Sequence, residues 1–252
     1  MHTAVRLFTP TSSLQSDMKI KAVLFDLDGT LLPMDQEKFV KDYFGRIARY
    51  LAPYGVDPNA LVDAIWRGTG AMMKNDGSMT NEDRFWQTVS GLLGENIRDK
   101  EPFFERFYIE EFDKVRASCG FDAEAAPAVR TLAERGYRLI LATSPIFPAI
   151  ATEKRLEWTG LMTDEFEYIT TYENSRFCKP SLDYYRGILE HCGLAPDECI
   201  MVGNDVGEDM VAERLGSYVY LVTRDLINRG GSDISAYHKG TLAQLPDYID
   251  SL

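Results

Sequence analysis

Two carboxylates set two residues apart, Asp26 and Asp28, follow directly on the apolar run Ala22-Val23-Leu24-Phe25 and precede Gly29. A short continuous apolar run that stops at a glycine reads as a strand buried on both faces, the kind found in parallel sheets. Asp26 then stands at the carboxyl end of that strand, and in open α/β sheets ligands bind in the crevice outside those ends. The same Asp-Gly pair is also a common turn dipeptide. Further polar residues end later apolar runs: Thr143 and Ser144 follow the second strand, and Asp205 and Asp209 follow the fourth. On one edge of a parallel sheet these groups would converge. Three or four gathered carboxylates repel unless a cation holds them. An all-oxygen set without His or Cys suits a hard ion, and a site that also takes phosphate suits Mg²⁺. Lys179, ahead of Pro180, is the cation to neutralise this acidic edge.

The elements that must position these groups follow from periodicity. After Met34 the pattern becomes helical: Phe39, Tyr43, Phe44, Ile47, Tyr50 and Leu51 share a face. A second helix starts with Asp57 as N-cap and Pro58 inside it, carrying Leu61, Val62, Ile65 and Trp66 inward. Thr80 opens a third, with Asp83 at the capping-box spacing and a stripe from Phe85 and Trp86 to Leu92 and Leu93. Glu101-Pro102 opens a fourth, whose Phe103, Phe104, Phe107, Tyr108, Phe112 and Val115 again recur at three and four. Four consecutive helices without a strand predict a helical insertion with a small core of its own. At helical spacing its aromatic stripes read as core, and Lys74, in the loop after the second helix, as a surface lysine.

Beyond Gly120 strands and helices alternate, with strands predicted over 139–142, 166–170, 199–202 and 218–222 and a helix from Met210 to Gly216. Alternation predicts a parallel sheet with right-handed crossovers. Residues 1–17 read as a disordered tail, 18–33 and 119–252 as the core, and 34–118 as the insertion. Residues 224–252 are loop-rich and carry no functional reading.

Composition bounds the function. With 45% hydrophobic and 26% charged residues the chain is globular, and a formal net charge of −12 opposes nucleic acid and anionic membranes. Small anionic substrates are still open to it, since local cations and backbone donors hold those. Cys119, Cys178, Cys192 and Cys199 show neither CxxC pairing nor a His partner at ligand spacing, so no zinc site or disulfide framework is expected and a cytoplasmic setting fits. No apolar run approaches a membrane span.

At this point the residues match a family pattern. Asp26-Leu27-Asp28-Gly29-Thr30 resembles the first signature of the haloacid dehalogenase superfamily, Thr143 its second, Lys179-Pro180 its third, and Gly203-Asn204-Asp205 to Asp209 its fourth. The resemblance runs over about residues 19–223 and rests on four motifs in order. It implies a Rossmann-like core with strand order 3-2-1-4-5 and an inserted helical cap. It implies Asp26 as nucleophile and Asp28 as acid and base. Thr143, Ser144 and Lys179 would bind the phosphoryl group. Mg²⁺ would sit on the Asp26 carboxylate, the Asp28 carbonyl and Asp205, and Asp209 would complete the cluster as a ligand or by orienting Lys179. The fourth motif reads Gly-Asn-Asp where Gly-Asp-Ser and Gly-Asp-Asp also occur, so the directly ligating acid is open. An aspartate at 28 favours phosphoryl transfer over dehalogenation, and a helical cap favours small phosphorylated metabolites.

The reading is therefore a Mg²⁺-dependent phosphatase. Its alternatives are a phosphomutase or phosphonate-cleaving enzyme, the latter needing a cap lysine among Lys38, Lys41, Lys74, Lys100 and Lys114, and a non-catalytic phosphate-binding protein.

Overall fold

The computed structural model describes residues 19–252; the N-terminal tail expectation lies outside them. Six parallel strands form one sheet in the order β3-β2-β1-β4-β5-β6, with β1 at Ala22–Phe25, β2 at Arg138–Leu141, β3 at Tyr168–Ile169, β4 at Cys199–Gly203, β5 at Tyr218–Val222 and β6 at Lys239–Gly240. The first five follow the expected order. The sixth comes from the stretch left without a reading, and β3 is shorter than the apolar run suggested. Successive residues of β1 face opposite sides: Val23 and Phe25 join one hydrophobic cluster, Ala22 and Leu24 the other. A strand covered on both faces must be apolar throughout, which is why its first polar residue, Asp26, marks its end.

Helices α1 (Gln36–Leu51), α2 (Pro58–Met73), α3 (Asn81–Leu93) and α4 (Glu101–Glu110) make up the insertion between β1 and α5 (Ala125–Glu134). Their N-termini are closed as the side chains dictate: the Asp57 carboxylate accepts from the Asn59 and Ala60 amides, and the Thr80 hydroxyl from the Asp83 amide. At the base of the insertion the two crossing chains pair, Met34 bridging Cys119 and the Gly120 amide donating to the Pro33 carbonyl at 2.8 Å. The insertion's Phe39, Phe107 and Phe112 continue the cluster on the Val23 and Phe25 face, so its core is shared with the sheet.

Three local expectations are corrected. The fourth helix stops at Glu110 and the chain tightens into a 3₁₀ segment over Phe112–Ser118, which keeps Phe112 and Val115 buried. The segment after β4, Met210–Leu215, is likewise 3₁₀. Trp66 and Leu92 point away from the core rather than into it. Three further helices cover the sheet: α6 (Ala149–Trp158), α7 (Leu182–Cys192) and α8 (Leu245–Asp250). Among the described residues no helix is long and apolar enough to cross a membrane.

Candidate active site

Strand register places the first carboxylate. Phe25 lies opposite Leu141 on β2 and Val202 on β4, and the Asp26 amide donates to the Val202 carbonyl at 2.9 Å while the Ala142 amide donates to the Phe25 carbonyl at 2.7 Å. Asp26, Thr143 and Gly203 therefore leave three neighbouring strands side by side. Gly29 turns the chain back with φ of 88°, and a side chain there would meet the Asn204 amide at 2.3 Å. The turn carries Thr30 into place, its hydroxyl 3.0 Å from Asp26 Oδ2 and 3.1 Å from Asn204 Oδ1.

Lys179, 1% exposed, reaches the same point through a cis peptide to Pro180. Its Nζ donates to Asp26 Oδ1 at 2.8 Å and to Asp209 Oδ1 at 2.6 Å. Burial pulls the Lys179 ammonium down, but the Asp209 and Asp26 carboxylates outweigh it and hold its pKa well above the usual value. Burial also pushes the Asp209 carboxyl up to about 7, against the pull of Lys179 and with the Asp26 charge adding to the rise. The other Asp209 oxygen accepts from the Asp205 amide at 2.9 Å. Asp209 thus anchors the Lys179 ammonium through this hydrogen bond.

That anchor depends on Gly203. A Cβ there would lie 2.1 Å from Asp209 Oδ2. Gly203→Ala is expected to cost about 1–3 kcal/mol, the range for overpacking, because the carboxylate must shift off Lys179. Urea denaturation measures this, and an unchanged midpoint would mean that the carboxylate moves at no cost.

Asp28 forms an ion pair with Arg155 of α6. Arg155 is fully buried, with its guanidinium stacked 4.3 Å from the Phe147 ring centre. The second Asp28 oxygen, Oδ1, is buried without a hydrogen-bond partner. Burial raises the Asp28 pKa above the ordinary carboxylate value, Arg155 opposing the rise and Asp26 adding to it. Asp205 is held by three donors: the Gly207 and Glu208 amides at 2.8 and 3.1 Å on Oδ1 and Arg229 at 3.1 Å on Oδ2. Arg229 also donates to Gln36 at the start of α1, 3.1 Å away, which ties the insertion to this edge.

Thr143 is buried, its carbonyl accepting from the Thr170 and Tyr184 hydroxyls at 2.7 and 2.8 Å. Thr143 and Ser144 line a cavity of about 270 Å³ that also reaches Asp26, Asp28, Asp205 and Asp209 and runs out between the helices of the insertion. The residues singled out from sequence are thereby brought to one place, with Lys179 beneath them. The four acids are not, however, a ready-made cage: among the described residues no three His, Cys, Asp or Glu side chains gather to hold a metal by themselves. Each acid is paired to a protein donor instead.

Arg155, Arg229, Thr30 and Asn204 were given no role from sequence. Arg155 had a signal: it falls four residues after Ala151 and three after Thr152, on the inward face of α6, where an unpaired cation is not tolerated. Arg229 had none, since it lies in a loop brought in only when the Val206 amide bonds the Ile227 carbonyl and the Ile227 amide bonds the Asn204 carbonyl, each at 2.9 Å.

Residues 20–215 match the family described as haloacid dehalogenase-like hydrolase. The pyrophosphatase PpaX of Bacillus velezensis is 23% identical over 93% of each chain. The glyceraldehyde 3-phosphate phosphatase of Methanopyrus kandleri is 23% identical over 92% of this chain and 98% of its own. Among solved structures, the 2-haloacid dehalogenase of Pseudomonas syringae shares the fold, with a TM-score of 0.61, 20% identity and coverage of 92% of this chain and 99% of that one.

Proposed function

Because the chain belongs to the haloacid dehalogenase-like hydrolase family, we propose that it is a Mg²⁺-dependent phosphatase that hydrolyses a small phosphomonoester through an aspartyl-phosphate on Asp26. The observation that carries this reading is the pairing of two acids with different surroundings at the floor of one cavity. Asp26 is fixed by Lys179 and Thr30, and Asp28 stands beside it, partly freed by an unpartnered oxygen. The names of the two relatives, a pyrophosphatase and a glyceraldehyde 3-phosphate phosphatase, point to phosphate chemistry.

In this reading an Asp26 oxygen bonds to phosphorus as the bond to the leaving oxygen breaks, and Asp28 gives that oxygen its proton. Water then attacks the phosphorus and the Asp26 oxygen departs, with Asp28 taking the proton back. Lys179 stays charged throughout and offsets the negative charge on the phosphoryl oxygens, with the Thr143 hydroxyl and the backbone donors after β2 beside it. Arg155 positions Asp28 from behind.

The residues fit Mg²⁺. This ion keeps several waters and is held by one or two carboxylates plus substrate phosphate rather than by a protein cage, so Asp26, Asp205 and the Asp28 carbonyl would be the hard oxygen donors that hold it. When bound, Mg²⁺ would neutralise charge on the transferred phosphoryl group. The helical insertion acts as the cap that closes over the substrate and excludes water.

A phosphonate-cleaving reaction finds no support here. Lys38, Lys41, Lys74, Lys100 and Lys114 all lie off the cavity walls.

Chelation tests the proposal. EDTA should lower hydrolysis of 4-nitrophenyl phosphate by about 100-fold or more, the scale of metal-ion charge stabilisation, and Mg²⁺ should restore it. Full turnover in chelator, or halide release from 2-chloropropionate without phosphatase activity, would overturn it.

A further inference from the structure

The cavity changes character with distance from Asp26. Its outer walls come mostly from the insertion and are aromatic: Phe44 and Trp66 meet at 5.1 Å between ring centres and Phe85 and Trp86 at 5.3 Å, with Tyr172 of the core 6.2 Å from Phe85. At the mouth, Trp66 and Met73 are each 52% exposed although both line the cavity. A soluble surface does not leave such side chains in a concave site without a use for them.

The cation and the paired tyrosines on these walls are engaged with protein partners. Arg229 is the only cationic side chain among the described residues lining the cavity, and it is held by Asp205 and Gln36. The Tyr43 and Tyr108 hydroxyls bond one another at 2.8 Å. The indole nitrogen of Trp86 is buried with no acceptor in hydrogen-bond geometry, although it lies beside the Tyr172 hydroxyl and tempers the rise that burial imposes on it. A second phosphate or a carboxylate on the leaving group would meet no free cation there.

We propose that the preferred substrate is a phosphomonoester whose leaving alcohol is uncharged, apolar and ring-bearing, its ring packed against the Trp66, Phe85 and Trp86 wall. This rests on the phosphatase reading above. It separates the chain from the substrates that its relatives are named for, which are small, polar or doubly charged. The ring leaves as a neutral alcohol carrying the proton from Asp28, so no product charge is stranded against the aromatic wall.

Leaving groups of like reactivity make the test clean. With Mg²⁺ present, kcat/KM for benzyl phosphate should exceed that for glycerol 3-phosphate by about 10- to 100-fold, the value of burying one ring. Trp66→Ala should pull that ratio toward one, chiefly through KM. A binding readout needs no turnover: two of the three tryptophans line the cavity, so their fluorescence should report benzylphosphonate binding about tenfold or more tighter than methylphosphonate. Equal phosphonate affinities, or glycerol 3-phosphate or pyrophosphate preferred while acetyl phosphate is turned over, would overturn the substrate class and leave the phosphatase reading standing. No turnover of any compound, acetyl phosphate included, would overturn the phosphatase reading and this inference with it.

Discussion

Asp26→Asn should lower kcat by more than about 10³-fold while the protein stays folded, the scale seen when a residue of a catalytic set is removed. The separation of the two effects follows from the charge balance around Lys179. One ammonium faces two carboxylates, Asp26 at 2.8 Å and Asp209 at 2.6 Å. Replacing the first by an isosteric amide leaves a one-to-one pair in the buried site. With its oxygen turned to Lys179 the amide still accepts from the ammonium, and its NH2 can donate to the Thr30 hydroxyl oxygen, whose proton then goes to Asn204 Oδ1, so no donor is orphaned. What disappears is the ionised oxygen that attacks phosphorus. Rapid acid quench with ³²P-labelled substrate checks the assignment directly: the parent protein should carry label and the variant none. Retained turnover with labelled protein would place the nucleophile elsewhere.

The legibility of this site varied with how locally each residue's role is set. Asp26, Thr143 and Asp205 were readable because each follows an apolar strand, and a parallel sheet leaves all three at one edge. Lys179 was readable as the cation that such an edge requires. The partner of Asp28 is less legible: Arg155 lies on the buried face of α6, but helical periodicity marks that face without saying which distant carboxylate its cation meets. Trp66 was misplaced for a complementary reason. Its spacing with Ile65 and Leu61 suits a core stripe, but α2 also borders the cavity, and periodicity alone does not separate a core wall from a pocket wall. Arg229 and the sixth strand lie where no period exists, and their positions follow from long-range pairing to β4 and β5.

Lys179→Met should be the more damaging change to the fold itself. The side chain is buried, has no water to fall back on, and its partners are buried with it. Removing one member of a buried ion pair typically costs about 3–5 kcal/mol, because the charge left behind is uncompensated. Here two carboxylates are left, Asp26 and Asp209, facing each other with the shared cation gone. The sign of the pH dependence follows. Burial already holds the Asp209 carboxyl up to about 7 in the presence of Lys179, and losing the ammonium removes the largest influence that lowers it. The folded variant then binds a proton more tightly than the unfolded chain, so its stability falls as pH rises from the ordinary carboxylate range through the raised folded value. The deficit relative to the parent should therefore be larger at pH 8 than at pH 5.5, as read by urea midpoints at the two values. A deficit that is the same at both would mean that Asp209 does not depend on Lys179 for its charge. Pairing the change with Asp209→Asn should recover part of the lost stability at pH 8, since one of the two unpaired charges is then gone. It should recover no activity, because the phosphoryl group would still lack the ammonium that offsets its charge.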